Sequence, residues 1–267
     1  MTFKEFKDIY RNLETLEEKK KFIQERLTSL ANFSDQRKID LNLTSFFADF
    51  ISPNVIIRSN SNAIYGGLLV DDMNVYSDFL DYIDNDVDKF LTSEPQTITY
   101  IQDYLYQYFG YFSGSWDDRE DVYFGRNVSI TEFKNQNLSQ CAEKCALAHN
   151  LLLFLGFQSE LVFGKLKGSH VFIVFKPENK NFWILYDPEN PVRYVNSETG
   201  QKDLAIGVSL MSQEEYIDLK NVKPYSFHYD LVKKLYKKGT EFQELSRVYN
   251  VEKINELTDF NGLAPHR

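Results

Sequence analysis

Apolar side chains recur every three to four positions in three stretches of the N-terminal half, and this spacing is typical of amphipathic helices. The three stretches are residues 3–31, 71–91 and 97–112. Acidic residues lie between the apolar positions of the second stretch, so its polar face is acidic. A further short helix is predicted over residues 36–50, and residues 54–64 are predicted to be strand or loop. Residues 1–96 are therefore expected to form a mostly helical N-terminal region.

The pattern changes after a polar segment, residues 113–137, which is predicted to be a long loop. From Cys141 to Leu155 nearly all sides of a helix would be apolar, which is typical of a helix buried in the centre of a domain. Gly156 follows at the position where a left-handed C-cap is common.

Short runs of β-branched and aromatic residues then alternate with turn residues. They lie at residues 160–164, 170–175, 183–187, 192–195 and 206–210, with a turn predicted at 198–201. Their close spacing predicts an antiparallel meander. Ser212 and Glu215 form a capping-box pattern at the start of a helix, and residues 227–257 are predicted to be helical.

These elements predict an α+β fold in which a central helix packs against an antiparallel sheet. The core is expected to span residues 97–215. Residues 1–96 either pack on this core or form a small separate lobe, and residues 216–267 form a helical extension.

Charge and composition exclude several classes of partner. The 39 acidic residues outnumber the 30 basic ones, which gives a net charge of -9, so a nucleic-acid-binding surface is not expected. No apolar run reaches the ~18 residues of a membrane span. No signal peptide is visible at the N-terminus, and two cysteines four residues apart fit free thiols, so a cytoplasmic protein is predicted. A bacterial effector exported by another route would have the same features.

Cys141, His170 and Asp187 are the candidate catalytic residues. Cys141 begins the central helix, where unpaired backbone N–H groups and the helix dipole favour a thiolate. His170 begins one strand and Asp187 ends the next, and antiparallel neighbours bring such ends together. A thiol, an imidazole and a carboxylate in this order can serve as nucleophile, base and orienting acid.

The stretch that contains these residues resembles the transglutaminase-like superfamily of papain-like cysteine enzymes. The similarity lies in Cys141 with Glu143, Leu155-Gly156, His170-Val171-Phe172, and Trp183 followed by Asp187-Pro188. It covers residues 136–190, about a fifth of the chain. The resemblance implies a papain-like fold, with Cys141 as nucleophile, His170 as base and Asp187 as orienting acid.

The chain departs from the family pattern at three places. Ser139 replaces a glycine, Cys145 replaces an alanine, and Val171-Phe172 replaces Ala-Trp. Size or aromatic character is roughly kept, so these changes do not indicate a loss of activity, although they weaken any transfer of substrate preference.

The predicted function is acyl transfer from peptide or protein amides through a thioester. Water as the acceptor would give a protease, amidase or deamidase, and an amine would give a transglutaminase or acyltransferase. The oxyanion would be bound by the Cys141 backbone N–H, with Gln136 or Gln140 adding a side-chain amide. One alternative is a catalytically silent transglutaminase-like binding module. Another is an arylamine N-acetyltransferase-like enzyme, which uses a similar triad.

The same helix also carries three residues of metal-ligating types. Cys141, Cys145 and His149 share one helix face, but structural zinc usually has four ligands and other spacings. No metal or other cofactor is therefore expected, and Cys145 is expected to lie in the core. Trp183 is also expected to be a core residue, whereas Trp116 is a weaker candidate for the lining of a substrate groove.

Overall fold

The computed structural model describes residues 1–36, 47–48, 57–58, 67–69, 73–84, 94–110, 128–165, 169–178, 180–189, 192–195, 202–205 and 208–220. Within these residues the chain is α+β. The helices are α1 Phe3–Tyr10, α2 Leu16–Gln36, α3 Met73–Asp84, α4 Glu94–Phe109, a 3-10 turn Ile130–Phe133, α5 Cys141–Phe154 and α6 Gln213–Lys220. The strands are β1 Phe47–Ala48, β2 Ile57–Arg58, β3 Gly67–Leu69, β4 Val128–Ser129, β5 Gln158–Lys165, β6 Ser169–Lys176, β7 Phe182–Tyr186, β8 Val192–Val195, β9 Lys202–Ala205 and β10 Val208–Ser212.

The main sheet has the strand order β1-β5-β6-β7-β10, and all of its neighbours are antiparallel. Strands β5, β6 and β7 follow one another in sequence and in space, so the predicted meander is confirmed for these three strands. It is wrong for residues 192–195, which form β8 and pair with β9 in a separate sheet, so that β10 pairs directly with β7. A hairpin of β8 and β9 and a small sheet of β2, β3 and β4 complete the described strands.

Helix α5 lies at the centre of the fold, as its all-round apolar sequence predicts. It contacts α2, α4 and the face of the sheet formed by β5 and β6. Its Phe154 ring lies 5.6 Å from the ring of Phe6, 6.4 Å from that of Phe22 and 5.1 Å from that of Tyr76. These partners belong to α1, α2 and α3, so the described N-terminal helices pack on the core and share one hydrophobic cluster with it.

The opposite face of the sheet is covered by α6. The rings of Trp183 and Tyr216 stack at 3.7 Å, and the Trp183 indole N–H donates to Gln213 at 3.0 Å. The Tyr216 hydroxyl also donates to the buried Glu160 at 2.8 Å. Trp183 is therefore a core residue, as predicted, and the sheet lies between two helical layers.

The C-terminus of α5 is capped by two sets of hydrogen bonds. Gly156 has φ +96°, and the N–H groups of Gly156 and Phe157 donate to the carbonyls of Leu153 and Leu152, which is a Schellman motif. From α2, the Arg26 guanidinium donates to the carbonyl oxygens of Leu153 at 2.7 Å and Phe154 at 3.0 Å. These bonds satisfy carbonyls that no helical N–H can reach.

Replacement of Gly156 with alanine is expected to lower the free energy of unfolding by about 1–2 kcal/mol or more. A side chain at positive φ is strained, and a Cβ here would lie 2.5 Å from the Thr2 carbonyl carbon. Chemical denaturation of the variant measures the loss. Gly156→Asn is the matched control, because asparagine tolerates this φ better than alanine does. Equal losses in both variants would assign the effect to the contact with Thr2, and an unchanged midpoint in G156A would contradict the expectation.

The structure divides the predicted 3–31 helix into α1 and α2. The break follows from a second helix start at Thr15, whose hydroxyl accepts the Glu18 N–H while the Glu18 carboxylate accepts the Thr15 N–H. The predicted loop over 113–137 also contains structure at its end. There β4 leads into the 3-10 turn, which is capped by Ser129 and Glu132.

Other predictions are confirmed in part. Helices α3 and α4 lie within or close to the predicted 71–91 and 97–112, and the Ser212–Glu215 capping box forms at the start of α6. Most of 36–50 lies outside the described residues, and so do 198–201 and 227–257, while Phe47–Ala48 is a strand rather than part of a helix.

The predicted boundaries at 96/97 and 215/216 fall within α4 and α6. None of the helices in the described part of the chain has the length and apolar character needed to cross a bilayer.

Candidate active site

Cys141 is the first residue of α5 and is half-buried. The helix begins here because Gln140 is extended and its backbone N–H donates to the Glu143 carboxylate at 2.8 Å. The N–H groups of the first helical residues, Cys141 among them, have no acceptor within the helix. The thiol therefore lies at the positive end of a helix dipole and beside backbone donors, which is where a thiolate or an oxyanion is stabilised.

Cys145 lies one turn further along α5 and is completely buried. Its thiol donates to the Val171 carbonyl oxygen at 3.2 Å. Burial raises the pKa of this thiol well above its ordinary value, and the negative charges of Asp187 and Glu189 raise it further. The prediction that Cys145 is a core residue is confirmed, and the two cysteines of the chain have different environments.

The contact between Cys145 and Val171 ties the beginning of α5 to the beginning of β6. His170 directly precedes Val171, and its backbone lies in β6 opposite Gly164. The side chain of His170 lies outside the described part of the structure. The bond from the Cys145 thiol brings the second turn of the Cys141 helix to the strand position next to the predicted base.

Asp187 directly follows β7 and is completely buried. The last residue of β7, Tyr186, pairs with Ile173, three positions beyond His170 in β6. One carboxylate oxygen of Asp187 accepts the Glu189 N–H at 3.1 Å. The predicted acid therefore lies at the same end of the sheet as the beginning of β6, and its charge is close enough to Cys145 to raise the pKa of that thiol.

The four residues from Tyr186 to Glu189, here called the Asp187 turn, are held by two helices. Gln102 of α4 accepts the Tyr186 hydroxyl at 2.8 Å and donates to the Pro188 carbonyl at 3.2 Å. Lys144 of α5 forms an ion pair with Glu189 at 2.6 Å, and both side chains are at least nine-tenths buried. The turn is thus fixed against α4 and α5 on both sides of Asp187.

The two predicted side-chain oxyanion donors differ in their surroundings. Gln136 is exposed, and its amide donates to the carbonyl oxygen of Glu132. Gln140 is half-buried and directly precedes the nucleophile position, and its backbone N–H is engaged by Glu143. Of the two, Gln140 lies nearer to Cys141 in the chain.

The helix face that carries Cys141, Cys145 and His149 is not arranged around a metal. His149 is buried and shares a 2.8 Å hydrogen bond with the Ser159 hydroxyl, and Cys145 is engaged by Val171. Within the described segments, no group of three or more histidine, cysteine or acidic side chains could hold a metal ion.

Sequence reasoning missed Gln102, Lys144 and Glu189. Lys144 carried one available signal, because a lysine in an otherwise apolar helix must be paired if it is buried. Gln102 and Glu189 carried no comparable signal, since their roles depend on contacts 86 and 45 positions away in the sequence.

Comparison with known proteins gives no further assignment. The chain matches no protein-family model, no curated protein and no solved structure.

Proposed function

We propose that this protein is a cysteine-dependent acyl-transfer enzyme that acts on peptide or protein amides through a thioester on Cys141. The observation that supports the proposal is that the helix and the two strands that carry these residues contact one another. The start of α5 is tied to β6 beside His170 by the Cys145–Val171 contact, and the buried Asp187 follows the strand that pairs with β6. Nucleophile, base and orienting acid require this proximity.

The first half-reaction would form the thioester. The Cys141 thiolate attacks the amide carbonyl carbon, and the carbonyl oxygen becomes an oxyanion that accepts from N–H groups at the start of α5. The C–N bond then breaks, and the leaving amine takes a proton from the His170 imidazolium. Asp187 accepts from the imidazole and keeps its orientation.

The second half-reaction would release the acyl group. His170 removes a proton from water or from an amine, which attacks the thioester carbonyl, and the C–S bond breaks to restore the thiolate. Water gives hydrolysis or deamidation, and an amine gives transamidation. The proposal also includes a papain-like fold and a relationship to transglutaminase-like enzymes.

A covalent intermediate on Cys141 is the direct test. The wild-type protein would be incubated with a pool of peptides, quenched in acid and analysed by intact and peptide mass spectrometry. We expect an acyl adduct on the peptide that contains Cys141, with the adduct removed by hydroxylamine. Cys145→Ser is the matched control and should still form it, because a serine hydroxyl can donate to the Val171 carbonyl. Product formation without any Cys141 adduct, or equal product formation by C141S, would overturn the proposal.

A further inference from the structure

The Asp187 turn is held by contacts from two helices that are themselves separate in sequence. Gln102 bridges the residues on either side of Asp187, and Lys144 pairs with Glu189 two positions later. Glu189 in turn donates its N–H to the Asp187 carboxylate. The two Gln102 bonds are buried and the two Glu189 contacts are partly buried, and together they fix the place of the turn that carries the Asp187 carboxyl group.

A buried ion pair is a poor means of stabilising a fold. The cost of removing both charges from water offsets much of their attraction, and apolar pairs of similar volume are often equally stable or more so. Lys144 and Glu189 have side chains exposed by only 3% and 7%, so they carry this cost almost fully. Their distinctive contribution is geometric, because the 2.6 Å contact allows little freedom between the two segments.

Lys144 links the Asp187 turn to the helix that carries the proposed nucleophile. Lys144 lies three residues after Cys141 on the same helix, and residues three apart share a helix face. The ion pair therefore sets the distance from the Cys141 helix to the turn that carries Asp187. Gln102 sets the same turn relative to α4.

We propose that Gln102 and the Lys144–Glu189 pair are positioning residues, which hold the Asp187 carboxylate where it can orient His170 for the Cys141 thiolate. This inference rests on the proposed function. The three residues do not touch a substrate in this role; they act through Asp187. One carboxylate oxygen of Asp187 accepts the Glu189 N–H, and a carboxylate can accept hydrogen bonds at both oxygens.

The test measures the rate of Cys141 alkylation by iodoacetamide at about pH 6 and about pH 9.5. At about pH 6 the thiol ionises only if its partners stabilise the thiolate, whereas at about pH 9.5 even an ordinary free thiol is ionised. Lys144→Met alone would leave a buried carboxylate without its lysine, so the double variant K144M/E189M is used, with Gln102→Leu as an independent variant. The control is K134M/D78M, which removes a 2.6 Å pair that is 43% and 41% exposed and belongs to α3 and the segment before α5. Thermal unfolding midpoints show which variants are folded.

We expect K144M/E189M to keep its unfolding midpoint and to lose about tenfold in the rate at about pH 6, with the rate at about pH 9.5 and the control variant unchanged. Wild-type rates at both pH values in folded K144M/E189M and Q102L would overturn the positioning role and leave the proposed function standing. A wild-type protein whose Cys141 is no more reactive at about pH 6 than an ordinary free thiol would overturn the proposed function, and the inference with it.

Discussion

Replacement of Cys141 with alanine is expected to lower the rate of substrate turnover by about four to six orders of magnitude. The thiolate is the atom that forms the thioester, and alanine has no nucleophile to take its place. The neighbouring Cys145 cannot substitute for it, because that thiol is fully buried, has a raised pKa and is bound to the Val171 carbonyl. Initial rates on a peptide identified by adduct trapping measure the loss.

The same variant is expected to remain folded. Cys141 is half-buried at the first position of α5, and alanine is tolerated well in the first turn, so the free energy of unfolding should change by less than about 1 kcal/mol. Cys145→Ala is the matched comparison, since it removes a buried side chain and should destabilise the fold while the nucleophile remains. Turnover by C141A at the wild-type rate would contradict the assignment of the nucleophile.

Replacement of Phe154 with alanine is expected to cause the largest loss of stability, about 3–5 kcal/mol. Phe154 is fully buried at the end of α5, where its ring contacts rings of α1, α2 and α3. Truncation would leave a cavity at the point where the N-terminal helices meet the core. Chemical denaturation gives the change in the free energy of unfolding.

The control for this prediction is Ile217→Ala on α6. Ile217 is 48% exposed, so its truncation should change stability by no more than about 0.5 kcal/mol. A Phe154→Ala protein as stable as the control would mean that the N-terminal helices do not depend on this contact. In that case the N-terminal region would behave as a lobe separate from the core.

Local signals were enough to predict the elements around the candidate site. The start of α5 at Cys141, its end at Gly156 and the capping box of Ser212 and Glu215 all depend on residues within one helical turn. The order of β5, β6 and β7 also followed from short connections, since such strands pair with their sequence neighbours. The position of Asp187 at the end of β7 needed no long-range information.

Two local signals were present but were overlooked. Thr15 with Glu18 and Ser129 with Glu132 both have the capping-box spacing, and both start helical turns in the structure. The apolar spacing continues across Thr15, so it predicts one helix where the structure has α1 and α2. The residues around Ser129 are mostly polar, so their composition predicts a loop where the structure has a 3-10 turn.

The remaining features depend on long-range packing. The pairing of β1 with β5 joins residues more than 100 positions apart, and nothing in a two-residue strand specifies its partner. The contacts of Gln102 and Glu189 follow from the way α4, α5 and the Asp187 turn pack together. The candidate site residues could be predicted from their order in the chain, whereas the residues that hold the Asp187 turn could be identified only from the fold.

The most direct test of the central claim is the pH dependence of iodoacetamide alkylation at Cys141 in the wild type and in His170→Ala, read by mass spectrometry. Cys145 serves as an internal control, because it is fully buried and should remain unmodified until the protein is denatured. We predict that Cys141 reacts at pH values well below ~8.5, the pKa of a free thiol, and that His170→Ala removes this reactivity. An ordinary or unreactive Cys141 in both proteins would contradict it.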